Sequence, residues 1–168
     1  NVDAVSWFAR DLLPQVRARL PGVRFWIVGM NPSTAVQALA GEGIIVTGTV
    51  PDVRPYLAHA DVIVASLRVA RGIQNKVLEA MAMARPVVVS AAAAAGLSAQ
   101  QGRECEIAAT AEELVAQVVN LLLTPSARDA MGRAARERVR SIYSWQAHLA
   151  RFDELLDAPS LPARVAFA

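Results

Sequence analysis

Four short apolar runs limit what this chain can fold into: residues 24–28 (RFWIV), 44–47 (IIVT), 61–66 (DVIVAS) and 87–89 (VVV). None alternates strictly between apolar and polar side chains, so none reads as a strand with one wet face. Stretches with helical spacing or helix-start signals lie between them. Continuous apolar strands alternating with helices are the pattern of a parallel sheet covered on both faces. The expected fold class is α/β, a doubly wound parallel sheet, and ligands on such sheets bind just beyond the carboxyl ends of the strands.

Composition agrees. The 168 residues suffice for one domain or most of one. With 54% apolar but only 5% aromatic residues, the core must be aliphatic. Seventeen basic against fifteen acidic residues leave a net charge of +2, and no Lys/Arg run is interleaved with aromatics, so nucleic acid is not an expected partner. A single cysteine, Cys105, excludes an internal disulfide and a cysteine-based zinc site. His59 and His148 stand alone in their segments, so no metal site is expected, and no cofactor. No apolar run reaches 18 residues. The chain opens at Asn1 without methionine or a charged leader, and so reads as part of a longer protein of the cytoplasm, the inner face of the membrane included.

Along the chain, residues 5–20 have helical spacing, with Pro14 as a kink point. Ser33 is placed to cap a short helix to about residue 39, and residues 51–59 read as another. Residues 91–99 read as a small-residue loop and residues 106–108 as a minor edge strand. Thr110 with Glu113 forms a capping box. Pro125 opens a further helix, Ser144 a last one through residue 156 with Trp145 as its packing anchor, and residues 157–168 are a tail. The expected domain is therefore 1–156.

The stretch from Arg71 to Ser90 carries the most chemistry. A helix starting near Gln74 or Asn75 offers free N–H groups and a partial positive charge to a phosphate. Gly72 permits close backbone approach. Arg71 and Lys76, the lone lysine, add full charge. Glu79, one turn past Lys76, is suited to accept hydrogen bonds from two ribose hydroxyls. The same pair also fits a plain surface ion pair, and Arg85 fits a cation at a helix carboxyl end. Gly48 fits a simple strand-ending turn. No GxSxG, HExxH, P-loop or GxGxxG is present.

Four phrases in order give the sequence a familiar shape: residues 24–32 (RFWIVGMNP), 46–67 (VTGTVPDVRPYLAHADVIVASL), 72–90 (GIQNKVLEAMAMARPVVVS) and 143–156 (YSWQAHLARFDELL). They resemble the carboxyl-terminal, donor-binding domain of GT-B glycosyltransferases of retaining family 4 (group 1), most of all sugar transferases of bacterial exopolysaccharide clusters. The resemblance implies a Rossmann-like domain that takes a nucleoside-diphosphate sugar. It implies transfer of the sugar, with retained anomeric configuration and no metal, to a sugar or lipid-linked acceptor hydroxyl held by an amino-terminal domain. Glu79 matches the second glutamate of the family's E-x7-E motif, which binds the ribose. Gly48, Thr49 and Val50 match the loop beside the base. Gly72, Ile73, Asn75 and Lys76 match the loop and helix start near the diphosphate, and Arg71 stands where the first glutamate would fall. That departure opens the alternative of a non-catalytic nucleotide-sugar-binding or scaffold domain. The family's domain also begins with a strand ahead of the helix that starts here near Val5. Without it the sheet is expected to expose apolar edges that invite self-association.

Overall fold

The expected strands form, and all run parallel. The computed structural model describes residues 1–145 and Leu149. In it β1 (Phe25–Ile27) pairs with β2 (Ile44–Val46), Phe25 standing beside Ile44. β3 (Ile63–Ala65) pairs with β4 (Val87–Ser90), and β4 with β5 (Glu106–Ala108). Helices fill the connections: α1 (Val2–Trp7), α2 (Leu13–Arg19), α3 (Thr34–Gln37), α4 (Arg54–His59), α5 (Asn75–Ala82), α6 (Ala91–Ala94), α7 (Ala111–Leu123) and α8 (Pro125–Ile142).

Strand β4 explains why the apolar runs do not alternate. Successive side chains point to opposite faces of a strand. Val88 joins a core with Phe8, Leu12, Val16 and Leu114, whereas Val87 and Val89 join a second core with Val77, Met81 and Ala135. All three valines are fully buried, and each contributes about 1.5–3 kcal/mol relative to exposure. One face is thus covered by α2 and α7, the other by α5 and α8.

The strands make two hydrogen-bonded sheets, β1–β2 and β3–β4–β5. The Phe25 N–H bonds to Gly43 and the Ile27 carbonyl accepts from Thr47, so these two residues aim at β2. The Ile63 N–H bonds to Pro86, so Ile63 and Ala65 aim at β4. By alternation the backbone groups of Trp26 and Val64 aim away from those partners, along open edges. A cavity of about 370 Å³ lies there, walled by residues 25–29 on one side and 64–67 on the other, with Ala4, Val5 and Phe8 also lining it.

Several local expectations need correction. The first helix does not merely kink at Pro14: Phe8–Leu12 winds as a π-turn between α1 and α2. Proline lacks an N–H and crowds the carbonyl four residues back, and a wider turn removes that conflict. Ser33 occupies the cap position of α3 but its side chain makes no cap bond. Ala91–Ala94 is a helical turn, not loop, because the Ser90 hydroxyl accepts from the Ala93 N–H at 3.2 Å. Trp145 is 81% exposed and anchors nothing among the described residues; the rest of the expected 144–156 helix, Leu149 apart, and the tail lie outside them. The α7 cap holds: Thr110 Oγ1 accepts from Glu113 N–H at 3.2 Å, and Glu113 reaches back to Ala109 N–H at 2.7 Å.

Candidate functional site

At the carboxyl ends of the strands, the loop after β3 leads into α5. The Ser66 hydroxyl donates to the Ala4 carbonyl at 3.0 Å, and the Ser90 hydroxyl donates to the Leu67 carbonyl, so the loop leaves a fixed base. Arg68 is committed elsewhere. It bonds to Asp3, whose carboxyl it holds below the usual range, and lies 5.6 Å from the Trp7 ring centre. Gly72 then turns with a φ of 64°, the left-handed region where glycine alone is unstrained. The Gln74 amide donates to the carbonyls of Arg71 and Gly72 at 3.3 Å each, clasping that turn.

Helix α5 starts at Asn75 as expected. The Gln74 carbonyl accepts from Val77 at 2.8 Å and from Leu78 at 3.3 Å, while no side chain caps the helix. The N–H groups of Asn75 and Lys76 therefore point out of the helix end unclaimed by the helix. Val77, Ala80 and Met81 are buried, which turns Lys76 and Glu79 outward. Among the described residues no ion pair joins Lys76 to Glu79, so the plain surface-pair reading fails. Lys76 instead donates to the Asn1 amide oxygen at 2.6 Å. Its ammonium lies close enough to the protein body that burial lowers its pKa.

The expected residues divide. Lys76 and Gly48 both line the 370 Å³ cavity, together with Asn31. Gly48, at a φ of 69°, ends β2 in the left-handed region. Thr49 stands exposed after it, accepting from the Asn31 N–H at 3.3 Å and donating to the Asn31 side chain at 3.4 Å; Val50 follows, partly exposed. Arg71, Gly72 and Ile73 form an exposed lip outside the cavity, with Asn75 and Glu79 exposed on α5. Sequence reasoning missed the clasp that the Gln74 side chain makes on the turn, while Asn31 falls, as expected, just after β1. Asn31 adopts a φ of 44°, which asparagine tolerates better than most residues.

Other candidates stay structural. Cys105 is fully buried, and burial, followed by Glu106 and Glu104, pushes its thiol up to about 11. The His59 ring bonds to the Pro55 carbonyl, and among the described residues no group of metal ligands assembles. At the opposite end of the sheet a 230 Å³ cavity is lined by Asp61, Arg85 and Arg128, where Arg128 pairs with Asp61 at 2.9 Å. Arg85 serves a helix carboxyl end, but that of α4: it donates to the Ala60 carbonyl at 3.4 Å. Among the described residues no helix is long and apolar enough to cross a membrane. Chemically, the site offers outward N–H groups, Arg71 and Lys76 for an anion, and a free carboxylate on Glu79.

The family profile described as glycosyl transferases group 1 matches residues 1–124. The chain belongs to that family. Comparison with curated proteins finds no match. Among solved structures, sucrose-phosphate synthase from Thermosynechococcus elongatus is 21% identical with a TM-score of 0.71, over 86% of this chain and 40% of its own. HepE from Anabaena, solved with UDP, is 15% identical with a TM-score of 0.73, over 92% and 46%. TarM from S. aureus, in a structure containing UDP, is 18% identical with a TM-score of 0.71, over 88% and 32%. The chain thus spans less than half the length of each. At these identities the likeness establishes the Rossmann-like α/β fold of GT-B proteins, in accord with the parallel strands described above.

Proposed function

We propose that this glycosyltransferase chain is the donor-binding half, residues 1–156, of a retaining hexosyltransferase of bacterial exopolysaccharide or cell-surface polysaccharide synthesis. It holds a nucleoside-diphosphate sugar while the bond from the anomeric carbon to the diphosphate breaks, a bond from that carbon to the acceptor oxygen forms, and the hydroxyl proton leaves with the nucleoside diphosphate. A sugar or lipid-linked acceptor is held by a second domain, at or near the inner membrane face, and 157–168 is a tail. Arg71, Gly72, Ile73, Asn75 and Lys76 bind the diphosphate, Glu79 the ribose, and Gly48, Thr49 and Val50 border the base. The observation that carries this reading is the uncapped amino end of α5, with Lys76 and Gly48 lining one cavity at the carboxyl ends of parallel strands. The open edges of β1 and β3 also support self-association of the chain.

Calorimetric titration of the full-length protein with UDP, GDP and ADP tests it. One nucleotide should bind, and Glu79→Gln should weaken it about 10- to 100-fold, the worth of hydrogen bonds to a charged group. Lys76→Ala and Arg71→Ala should weaken diphosphates while sparing nucleosides; equal losses for both ligands count against the diphosphate assignment. A second reading, a non-catalytic nucleotide-sugar-binding domain, is favoured by Arg71 in the place of the family's first glutamate. It predicts binding without sugar transfer.

A further inference from the structure

We infer that Gly96 is a positioning residue for the donor loop, holding the Gly72–Ile73 peptide in place by main-chain contact. The inference rests on residues 71–76 being the diphosphate-binding loop. Gly96 lies two residues beyond α6, on the neighbouring connection. A Cβ built there would stand 2.8 Å from both the carbonyl carbon and the oxygen of Gly72, and 3.1 Å from the Ile73 nitrogen. Gly96 is not one of the glycines with positive φ, which are Gly43, Gly48, Gly72 and Gly102. Conformational freedom therefore does not explain glycine at this position; space does.

Which partner would yield to a side chain follows from how each is held. The segment carrying Gly96 is pinned along its length. The Ser90 hydroxyl caps α6, and the Leu97 N–H bonds to the Ala94 carbonyl at 2.8 Å. On the far side Arg138 donates to the Ser98 carbonyl at 2.7 Å, the Ser98 N–H donates to the Tyr143 hydroxyl at 2.7 Å, and Arg138 also faces the buried Glu104 at 3.4 Å. Helix α8 thus makes this segment a shelf. The lip at residues 71–73 is exposed, and the long 3.3 Å bonds from Gln74 clasp it from within. The lip is the softer side, so a methyl group on Gly96 moves the lip.

The displacement is roughly 0.7 Å, the difference between 2.8 Å and a comfortable carbon contact of about 3.5 Å. Misaligning one hydrogen bond to a charged phosphate weakens binding about tenfold or more. Gly96→Ala should therefore weaken diphosphate binding about tenfold or more.

The test compares full-length wild type, Gly96→Ala and Gly132→Ala. Gly132 also has main chain where a Cβ would go, but against Ala84, at the other end of α5. Two readouts are taken: amide chemical shifts of residues 71–76 without ligand, and calorimetric affinity for UDP, GDP, ADP and their nucleosides. Gly96→Ala should shift the 71–76 amides and raise the Kd for the bound diphosphate tenfold or more, with less than about a twofold change for its nucleoside. Gly132→Ala should lower stability and leave both readouts near wild type. Unchanged 71–76 shifts in Gly96→Ala, or equal affinity losses in the two variants, overturn the positioning role. If wild type binds no nucleotide, the donor reading falls, and the shifts alone decide the loop contact.

Discussion

Replacing Gly132 by alanine sets two opposite effects against each other, and the structure decides between them. Gly132 is buried in the interior of α8. Alanine is a better helix former than glycine by about 1 kcal/mol, so propensity alone predicts stabilisation. The added Cβ, however, would lie 2.8 Å from the Ala84 carbonyl carbon, and closer still to its oxygen. Both are main-chain atoms and cannot rotate aside. Relief requires the Ala84 turn that ends α5 to part locally from α8 by at least roughly 0.7 Å, and such overpacking costs about 1–3 kcal/mol. Main-chain atoms on both sides of the contact put the cost at the upper end, about 3 kcal/mol. The net loss is then about 2 kcal/mol. For a chain of this size that lowers Tm by about 4–8 °C. Thermal unfolding followed by circular dichroism reads it directly, with Gly22→Ala as a control, since a Cβ there meets nothing within 4 Å. A Tm raised by a few degrees in Gly132→Ala would mean that propensity wins and that α5 and α8 are not in main-chain contact.

Two further changes probe the same framework. At the end of α5 the Arg85 N–H bonds to the Ala80 carbonyl at 3.0 Å and the Ala84 N–H to Met81 at 2.9 Å, which is a Schellman motif. Its left-handed position is Ala84, at a φ of 54°. An L-residue there costs about 1–2 kcal/mol, against about 0.5–1 kcal/mol for the extra freedom of unfolded glycine. Ala84→Gly should therefore raise the urea midpoint by the equivalent of about 0.5–1 kcal/mol; a lowered midpoint would contradict the strain. Cys105 supplies a pH dependence. Its thiol is raised from 9.0 to about 11 when folded, so the unfolded chain loses this proton first. Stability from this group is complete below about pH 9 and falls as pH rises toward 11. Cys105→Ala should flatten that decline in urea titrations, and an identical decline in both proteins would rule the thiol out as its source.

The strands were legible because burial on both faces leaves a mark on the sequence itself. Val87, Val88 and Val89 must all be apolar when each face of β4 meets a core. The start of α5 was legible for a similar local reason. The turn at residues 91–94 was misread although both signals were present, a capping serine and a run of the strongest helix former. The alanine run lacks apolar periodicity, and periodicity was the criterion. The contacts of Gly96 with Gly72 and of Gly132 with Ala84 join residues far apart in the chain. A glycine required for space looks no different in sequence from one required for a turn. Such positions become visible only when helices and loops are laid against one another.

The charges around α5 make the same point and bear on function. Counting along the sequence puts Arg68, Arg71 and Lys76 near the amino end of the helix. The structure takes Arg68 out of that set by bonding it to Asp3. It leaves Lys76 on the neutral amide oxygen of Asn1. A bond from an ammonium to a phosphate is charge-assisted at both ends, whereas the bond to the Asn1 amide oxygen is charge-assisted at one end alone. On the proposed reading, a diphosphate arriving at the outward N–H groups of Asn75 and Lys76 takes Lys76 from Asn1 with a net gain. Lys76 is exposed, its pKa is lowered by partial burial, and among the described residues it has no carboxylate partner, so a phosphate would supply the counter-charge it lacks. Arg71, on the exposed lip, adds the second full charge. On the proposed reading, Arg71 in the place of the family's first glutamate biases the site toward the diphosphate.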